Sequence, residues 1–241
     1  MFGLFQRRSS ILDAGLLKGA VDNHCHILYG LDDGVKTVEE SLTILGWLGE
    51  QGMEEVWFTP HVMEDVPNTT AALRSRFEEL KAVYKGSLKF HLAAEYMIDN
   101  LFEERLANRD LLTHGEDTVL VETSAVAPPI NLWEILEKMC QMGYRPLIAH
   151  PERYHYMEFE DYQALHRMGA LLQLNLPSIV GFYGESARIR AESLLNKGWY
   201  SMVGSDCHRF RALQSQYNAK ELKKDIVRKL VPLMDVQPDT I

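Results

Sequence analysis

Seven short runs rich in β-branched and apolar residues alternate with segments of helical periodicity, and this alternation limits the folds open to the chain. The predicted strands are VDNHCH (21–26), EVWFTPH (55–61), LKFHLAAEY (88–96), DTVLVET (117–123), RPLIAHP (145–151), LLQLN (171–175) and YSMVGSD (200–206). Four predicted helices, 38–52, 69–86, 131–143 and 159–169, end at Gly52, Gly86, Gly143 and Gly169, as helices often do. Strands that are each followed by helical material predict an α/β barrel or a doubly wound parallel sheet.

Side chains that can bind a metal recur at the carboxyl ends of these predicted strands. They are His24, His26, His61, Glu95, Glu122, His150, Asp206 and His208, with Asp33 in the loop that follows the first strand. The carboxyl ends of barrel strands share one rim, whereas a doubly wound sheet spreads these ends along a line. Convergence of this many positions therefore favours a barrel.

The alternation of side chains along a strand sorts the histidines from the cysteines. Successive side chains point to opposite faces, so His24 and His26 point into the barrel and Cys25 points outward. The same holds for Asp206 and His208, with Cys207 facing out, if the backbone stays extended there. By the same reasoning Asp22 and Asp32 are left out of the site: Asp22 lies one layer below His24, and Asp32 has the opposite parity to Asp33.

The kinds of ligand restrict the metal. Imidazole and carboxylate without thiolate suit manganese, iron or zinc rather than a structural zinc or a calcium site. Nine ligands are too many for one ion, so we expect two or three divalent ions, with manganese favoured over iron or zinc. Three such ions would outweigh the four negative charges of the site and leave it cationic; those charges belong to Asp33, Glu95, Glu122 and Asp206.

Charge and cysteine content exclude several classes of protein. The net charge is −9 and no basic run interrupts it, which disfavours a nucleic-acid partner or a nuclease. Three cysteines without a C-x-x-C spacing predict neither disulfides nor a cysteine zinc site, and they suit a reducing cytoplasm. No apolar stretch is long enough for a membrane span. We expect one domain over residues 1–241, with an amphipathic leading helix or arm over 1–19.

The order of the metal-binding residues resembles the PHP superfamily, named for polymerase and histidinol phosphatase domains. The resemblance covers residues 21–208 and rests on His24-Cys25-His26, His61, Glu95, His150 and Asp206-Cys207-His208. Within it, DNHCHILYGLDDGVKTVEESL and IAHPERY look like the bacterial PHP-type protein-tyrosine phosphatases of capsule and exopolysaccharide systems. The resemblance implies a distorted (β/α)7 TIM-like barrel, a phosphoric monoester hydrolase, and a phosphotyrosine-bearing partner such as the tail of a bacterial tyrosine kinase.

The resemblance also implies a role for each site residue. One ion would be held by His24, His26, Glu95 and Asp206, a second by Glu95, Glu122 and His150, and a third by Asp33, His61 and His208. Arg153, in HPERY, matches an arginine that binds phosphate, and Arg209 or Arg211 would supply another. The catalytic set is then Arg153, Arg209 and Asp206.

Two other functions are compatible with parts of the sequence, and a third is excluded. A small-molecule phosphatase, such as a histidinol phosphatase, could use the same metal centre, although the LDDG and HPERY motifs disfavour this function. A PHP module without activity could serve in binding alone, although all nine ligand positions are filled. A cysteine phosphatase is excluded by spacing, because the position that holds arginine in the H-C-x5-R pattern, counted from Cys25, is Leu31 here.

A phosphotyrosine pocket could be lined by Tyr29, Tyr154, Tyr156, Phe182 or Tyr183, or these residues could be ordinary packing.

Overall fold

The computed structural model describes residues 8–238, which form nine β-strands, nine α-helices and two short 3₁₀ turns. The strands are β1 (Val21–Cys25), β2 (Glu55–Phe58), β3 (His61–Val62), β4 (Lys89–Leu92), β5 (Glu95–Met97), β6 (Thr118–Glu122), β7 (Arg145–Ala149), β8 (Leu171–Asn175) and β9 (Met202–Gly204). All seven predicted strand runs contain at least one of them. The alternation of apolar runs and helices therefore located the sheet correctly.

The strands form one curled parallel arrangement. β1, β2 and β4 make a three-stranded sheet, and β3, β5, β6, β7, β8 and β9 make a six-stranded sheet in that order. Cys25, at the end of β1, forms a parallel bridge with Cys207, three residues after β9. The backbone N–H of His26 donates to the carbonyl of Cys207 at 3.0 Å. The first strand thus meets the end of the last one, and the carboxyl ends of the strands face a common space.

Two predicted strands are interrupted, and the sequence gives a reason for one of the breaks. Pro60 separates β2 from β3, and proline has no N–H to donate to a strand ladder. The neighbouring strand breaks opposite, between β4 and β5, where the Glu95 N–H donates to the Pro60 carbonyl at 3.1 Å. After the breaks, β3 begins at His61 and β5 begins at Glu95, and these two residues are paired in register.

The helices pack around the curled sheet. They are α1 (Val38–Glu50), α2 (Thr70–Val83), α3 (Asn100–Asn108), α4 (Leu132–Gln141), α5 (Phe159–Met168), α6 (Leu176–Ile179), α7 (Gly184–Asn196), α8 (Phe210–Asn218) and α9 (Lys224–Leu230). The hydroxyls of Thr37 and Thr69 accept from backbone N–H groups in the first turns of α1 and α2, which fixes where these helices begin. The four predicted helices are present as α1, α2, α4 and α5, and five others were not predicted.

Three of the four glycines predicted to end helices do so, and the prediction for Gly86 is wrong. Gly169 caps α5 directly with φ +85°, and Gly52 and Gly143 follow α1 and α4 closely with φ +90° and +88°. Helix α2, by contrast, ends at Val83, because Tyr84 already has an extended backbone. Gly86 is therefore not a helix cap.

Of the helix or arm predicted over residues 1–19, the helix is absent from the part that the structure describes. Ser9 forms a bridge with Leu222, and residues 11–19 form consecutive turns. Gly15 and Gly19 adopt left-handed φ values of +67° and +76°, which interrupt any helix. Residues 1–7 lie outside the described residues.

The cysteines beside the site residues belong to the core. Cys25 and Cys207 are buried in the main hydrophobic cluster, as predicted for Cys25 from strand parity. The extended backbone required for the second half of that prediction is absent, since Asp206 has φ +50°. Within residues 8–238, no helix combines the length and apolar character that crossing a membrane would require.

Candidate metal centre

All nine predicted ligands meet at the carboxyl end of the curled sheet. β1 supplies His24 and, one residue past its end, His26; the other strands and their following loops supply His61, Glu95, Glu122, His150, Asp206 and His208. Asp33 comes from the loop between β1 and α1. The nine side chains thus lie at one end of the sheet.

Glu95 lies at the centre of the group. Its Oε2 is 3.2 Å from Nε2 of both His24 and His26, and 3.1 Å from Nδ1 of His61. Its other oxygen, Oε1, lies 3.0 Å from Nε2 of His150. One fully buried carboxylate thus faces four imidazoles from three strand ends. This arrangement suits a carboxylate that would help these histidines to hold divalent ions.

A second carboxylate, Glu122, flanks the group on one side. Glu122 Oε1 is 3.1 Å from His61 Nδ1, and its Oε2 is 3.6 Å from His150 Nε2. His61 and His150 therefore each face both glutamates. The resemblance places His150 with these glutamates but places His61 with Asp33, and His61 Nε2 is indeed 3.6 Å from Asp33 Oδ1. The imidazole of His61 therefore lies between Asp33 on one side and the two glutamates on the other, and it could bind an ion with either set.

Asp206 completes the other side of the centre. Its Oδ1 is 3.6 and 3.5 Å from Nε2 of His24 and His26. Asp206 and His150 are two of the three non-glycine residues with positive φ among the described residues, at +50° and +37°. Such conformations cost free energy and tend to occur at functional sites. They turn these two side chains back over the strand ends.

The outer part of the centre is more exposed. Asp33 Oδ1 is 3.3 Å from His208 Nε2, and the ring of His208 stacks on that of His26 at 4.0 Å between centroids. The side chain of Asp33 is 74% exposed, whereas His24 and His26 are buried. An ion near Asp33 would thus exchange with solvent more easily than an ion beside Glu95.

The donor set fits divalent ions. Three groups have ligand atoms that lie within 4.8 Å of one another: His26, His61 and His208; His24, His26 and Asp206; and His61, Glu95 and Glu122. Two ligands of one ion at about 2.1 Å lie roughly 3 Å apart, close to the spacings given above. Glu95 Oε2 and His61 Nδ1 are buried without a hydrogen-bond partner, as expected for atoms that point at a metal.

Electrostatics ties the imidazoles to the carboxylates. Burial lowers the pKa of His61, but the charges of Glu95 and Glu122 outweigh burial and raise that pKa to about 12. Burial and the neighbouring His61 lower the pKa of His26, but the hydrogen bond to Asp32 and the nearby Glu95 carboxylate raise it to about 10. Burial raises the pKa of Glu95, yet the charges of His24 and His61 hold it well below its usual range. Ions that bind here would displace protons from the histidines.

Asp32 is a site residue that the sequence analysis missed. It is buried, and its Oδ2 accepts hydrogen bonds from Nδ1 of His26 at 2.7 Å and from the His61 backbone N–H at 2.9 Å. Its Oδ1 accepts from the Gly34 N–H at 2.8 Å. A carboxylate on Nδ1 leaves Nε2 facing the metal centre. Parity could not find it, because residues 27–37 lie outside the strands and helices.

Gln173 was also missed. Gln173 lies on β8, and its amide oxygen is 2.7 Å from Nδ1 of His24. Its amide nitrogen donates to the Asn23 carbonyl at 3.1 Å. Gln173 therefore holds the His24 ring through Nδ1, as Asp32 holds the ring of His26. The available signal was a polar side chain in the middle of the predicted strand over 171–175.

Replacing Asp32 by asparagine is expected to weaken the binding of divalent ions by about 10- to 100-fold, the scale for a residue that orients a ligand. Both carboxylate oxygens of Asp32 accept hydrogen bonds, whereas asparagine has one acceptor oxygen and no charge, so it cannot satisfy His26, His61 and Gly34 together and holds the His26 ring less firmly. Competition with a chromophoric chelator measures the affinity. Asp110→Asn, which alters an aspartate paired with Arg105 outside the site, is the control. Equal affinities in the parent and in Asp32→Asn would show that Asp32 does not orient His26.

A cavity of about 490 Å³ opens over the centre. Seven of the predicted ligands line it: Asp33, His61, Glu95, Glu122, His150, Asp206 and His208. Arg153 and Arg209 line it as well, and Phe182 and Tyr183 form an aromatic wall. Cationic and aromatic groups thus surround one opening above the metal-binding residues.

The two arginines are held differently. Arg153 Nη1 donates to Asp206 Oδ2 at 2.9 Å. Arg209 Nη1 lies within hydrogen-bond distance of the carbonyls of Asp33, Gly34 and His208. Arg211 lines a separate cavity together with Glu39 and Glu40. Of the two alternatives for a second phosphate-binding arginine, the geometry favours Arg209.

The tyrosines considered for a phosphotyrosine pocket divide into two groups. Tyr183, like Phe182, faces the cavity. Tyr154 is buried and its hydroxyl accepts from the Thr123 N–H at 3.1 Å, and Tyr156 also contacts Thr123. Tyr29 contacts Glu79 on α2. These three are packing residues outside the cavity lining.

If the chain is the phosphatase that the resemblance implies, replacing Cys25 by serine is expected to keep most of its turnover. The buried Cys25 thiol donates to the Trp57 carbonyl at 3.5 Å, and burial raises its pKa well above the usual value, so it is a poor nucleophile. Turnover, ion content and melting temperature are measured for Cys25→Ser and for the control Cys140→Ser on α4. Loss of turnover in Cys25→Ser, with folding and ions retained, would mean that the chemistry uses the thiol.

Comparison with known proteins places the chain among proteins of capsule synthesis. The family described as "Capsular polysaccharide synthesis, CpsB/CapC" matches residues 20–230. Tyrosine-protein phosphatase YwqE of Bacillus subtilis (strain 168) is 29% identical over 195 residues, which cover 78% of this chain and 77% of that protein. Tyrosine-protein phosphatase CpsB of Streptococcus pneumoniae is 27% identical over 239 residues, 88% of this chain and 98% of that one.

Solved structures agree on the fold. A crystal structure from work on YwqE of Bacillus subtilis and CpsB of Streptococcus pneumoniae, called there unique metal-dependent tyrosine phosphatases, matches with a TM-score of 0.73. It is 24% identical to this chain, and the match covers 90% of this chain and 98% of the other. This likeness shows that the two chains share a fold over nearly their whole lengths.

Proposed function

The chain belongs to the CpsB/CapC family of capsular polysaccharide synthesis proteins, and from this membership we propose that it is a metal-dependent protein-tyrosine phosphatase. Its relatives in Bacillus subtilis and Streptococcus pneumoniae are tyrosine-protein phosphatases, which are phosphoric monoester hydrolases. The observation that carries the proposal is the convergence of nine histidine and carboxylate side chains beneath one cavity lined by two arginines.

The ligand residues would bind two or three divalent ions, manganese before iron or zinc. His24, His26, Glu95 and Asp206 would hold one ion, and Glu95, Glu122 and His150 a second, with Glu95 shared. Asp33, His61 and His208 would hold a third at the exposed side. Such ions, when bound, supply Lewis acidity and lower the pKa of a water molecule. The buried, unpartnered Glu95 Oε2 and His61 Nδ1 support this arrangement.

The remaining residues of the cavity would bind and orient the substrate. Arg153 and Arg209 would donate hydrogen bonds to the phosphoryl oxygens, since guanidinium groups bind phosphate well. Phe182 would contact the aryl ring and exclude water on that side. A tyrosyl leaving group has a pKa of about 10, so it departs with less help from an acid than an alkoxide requires.

The strands would form a distorted (β/α)7 TIM-like barrel of the PHP type, with β2–β3 and β4–β5 each counted as one interrupted strand. The bridge between Cys25 and Cys207 supports closure. The partner would be a phosphotyrosine-bearing protein of capsule synthesis, such as the tail of a bacterial tyrosine kinase, reached in the cytoplasm.

One experiment tests the activity and the metal together. Metal-free protein is reconstituted with Mn, Fe, Zn or Mg, one at a time, and assayed on a phosphotyrosine peptide and on histidinol phosphate. We expect hydrolysis of the peptide, highest with Mn, and little hydrolysis of histidinol phosphate. Preference for histidinol phosphate would identify a small-molecule phosphatase instead, and no hydrolysis with any ion would indicate a binding module.

A further inference from the structure

The aromatic ring of Tyr183 lies directly under Arg153. The guanidinium carbon of Arg153 is 4.2 Å from the ring centroid, which is the geometry of a cation–π contact. Tyr183 lies between α6 and α7, in the connection that follows β8, while Arg153 belongs to the turn that follows β7. The two side chains therefore come from different strand-end loops and meet only in the folded protein.

The outer oxygen of Asp206 has three donors around it. Oδ2 accepts from Arg153 Nη1 at 2.9 Å, from Asn175 Nδ2 at 2.8 Å and from the Tyr183 hydroxyl at 3.4 Å. The other oxygen, Oδ1, faces the imidazoles of the metal centre. Asp206 is buried, so an unpaired Oδ2 would cost free energy. If Arg153 leaves Asp206, Asn175 and Tyr183 still hold this oxygen.

Arg153 cannot satisfy Asp206 and a phosphoryl group with the same N–H. Its side chain is 27% exposed and lines the cavity, so it has room to turn toward a ligand. The contact with the ring of Tyr183 does not depend on Asp206, since it uses the face of the guanidinium and not its N–H groups. The ring can keep Arg153 over the cavity in either position.

We propose that Tyr183 is a positioning residue for phosphate binding: its ring supports the Arg153 guanidinium over the cavity while Arg153 exchanges Asp206 for the phosphoryl group. The inference rests on the proposed function, because it assigns Arg153 to the phosphoryl group. It adds a residue that acts through Arg153 and needs no contact with the metal ions. It also explains why a bulky aromatic residue stands half-exposed at the mouth of the cavity.

The test measures inorganic phosphate binding to the metal-loaded protein by calorimetry, with ion content and melting temperature recorded for each variant. Tyr183→Leu removes the ring and is expected to weaken phosphate binding by about 3- to 30-fold, the range for a cation–π contact. Tyr183→Phe keeps the ring and is expected to remain within about threefold of the parent. Tyr29→Leu removes the ring under Arg76, 4.4 Å from its guanidinium carbon and outside the cavity lining, and is the matched control.

The decisive comparison repeats Tyr183→Leu in an Arg153→Ala background. If Tyr183 acts through Arg153, the second change should have almost no further effect on phosphate affinity, and in kinetics Tyr183→Leu should raise KM more than it lowers kcat. The same fold-loss in both backgrounds would overturn the inference, as would a loss in Tyr183→Phe equal to that in Tyr183→Leu. The phosphate measurement does not require turnover, so failure to hydrolyse phosphotyrosine would overturn the proposed function while the binding cycle still tests Tyr183.

Discussion

Replacing Glu95 by glutamine is expected to lower kcat/KM by more than about 1,000-fold and to reduce the number of bound ions. Removal of one preorganised group that stabilises charge already costs about 100- to 1,000-fold, and Glu95 is the carboxylate that faces four imidazoles at once. Glutamine keeps the shape of the side chain but supplies no negative charge. One of its two end groups is an amide nitrogen, which cannot bind a metal as the carboxylate oxygen does. Steady-state kinetics and elemental analysis after gel filtration measure the two effects.

The matched control for this prediction is Glu55→Gln. Glu55 is also buried and also pairs with a histidine, His91, at 2.8 Å, but it begins β2 at the opposite end of the strand. We expect this variant to keep its ions and its turnover. If Glu95→Gln hydrolyses phosphotyrosine at the parent rate with full ion content, then the central carboxylate is not a ligand and the proposed centre is wrong.

Replacing Arg153 by alanine is expected to lower kcat/KM by on the order of 100-fold or more. A guanidinium group has no lone pair for a metal, so its expected task over the cavity is to pair with phosphate in a bidentate geometry that lysine does not reproduce. Arg153→Lys should therefore recover only part of the loss. Ion content should stay near that of the parent, because Asn175 still donates to the Asp206 oxygen that Arg153 leaves.

The alternative for Arg153 is a salt bridge at the rim of the site that contributes about 0–1 kcal/mol and nothing to catalysis. Its pairing with Asp206 at 2.9 Å is compatible with both interpretations. Arg211→Ala is the control, since Arg211 lines another cavity. Parent-level hydrolysis by Arg153→Ala would remove Arg153 from the site and leave Arg209, which lines the same cavity, as the arginine to test next.

The position of the site could be predicted because strand ends are easy to find in this sequence. His24, Glu122 and His150 lie in or next to apolar runs that form buried strands, and parallel strands bring their carboxyl ends to one edge. The periodicity of a strand is strict, so the inward direction of His24 and His26 followed from their spacing. Neither inference required knowledge of long-range contacts.

Residues outside regular strands could not be treated in this way. Asp32 lies in a loop, where side chains do not alternate between two faces as they do along a strand. The conformation of this loop brings its carboxylate to both His26 Nδ1 and the His61 N–H. Asp206 has a left-handed backbone, so the extended geometry assumed for residues 206–208 does not occur. The turns over residues 11–19 replaced a predicted helix because two glycines there adopt positive φ.

The sequence alone determined the chemical character of the centre: which residue types meet, at which strand ends, and that no thiolate is among them. Those properties depend on local periodicity and composition, which a chain carries without its fold. Only the tertiary structure decided which atoms face one another, such as the two oxygens of Glu95 toward different histidines and Arg153 over the ring of Tyr183. These contacts join residues far apart in the chain, and loop backbone angles and burial set their distances, which sequence spacing does not specify.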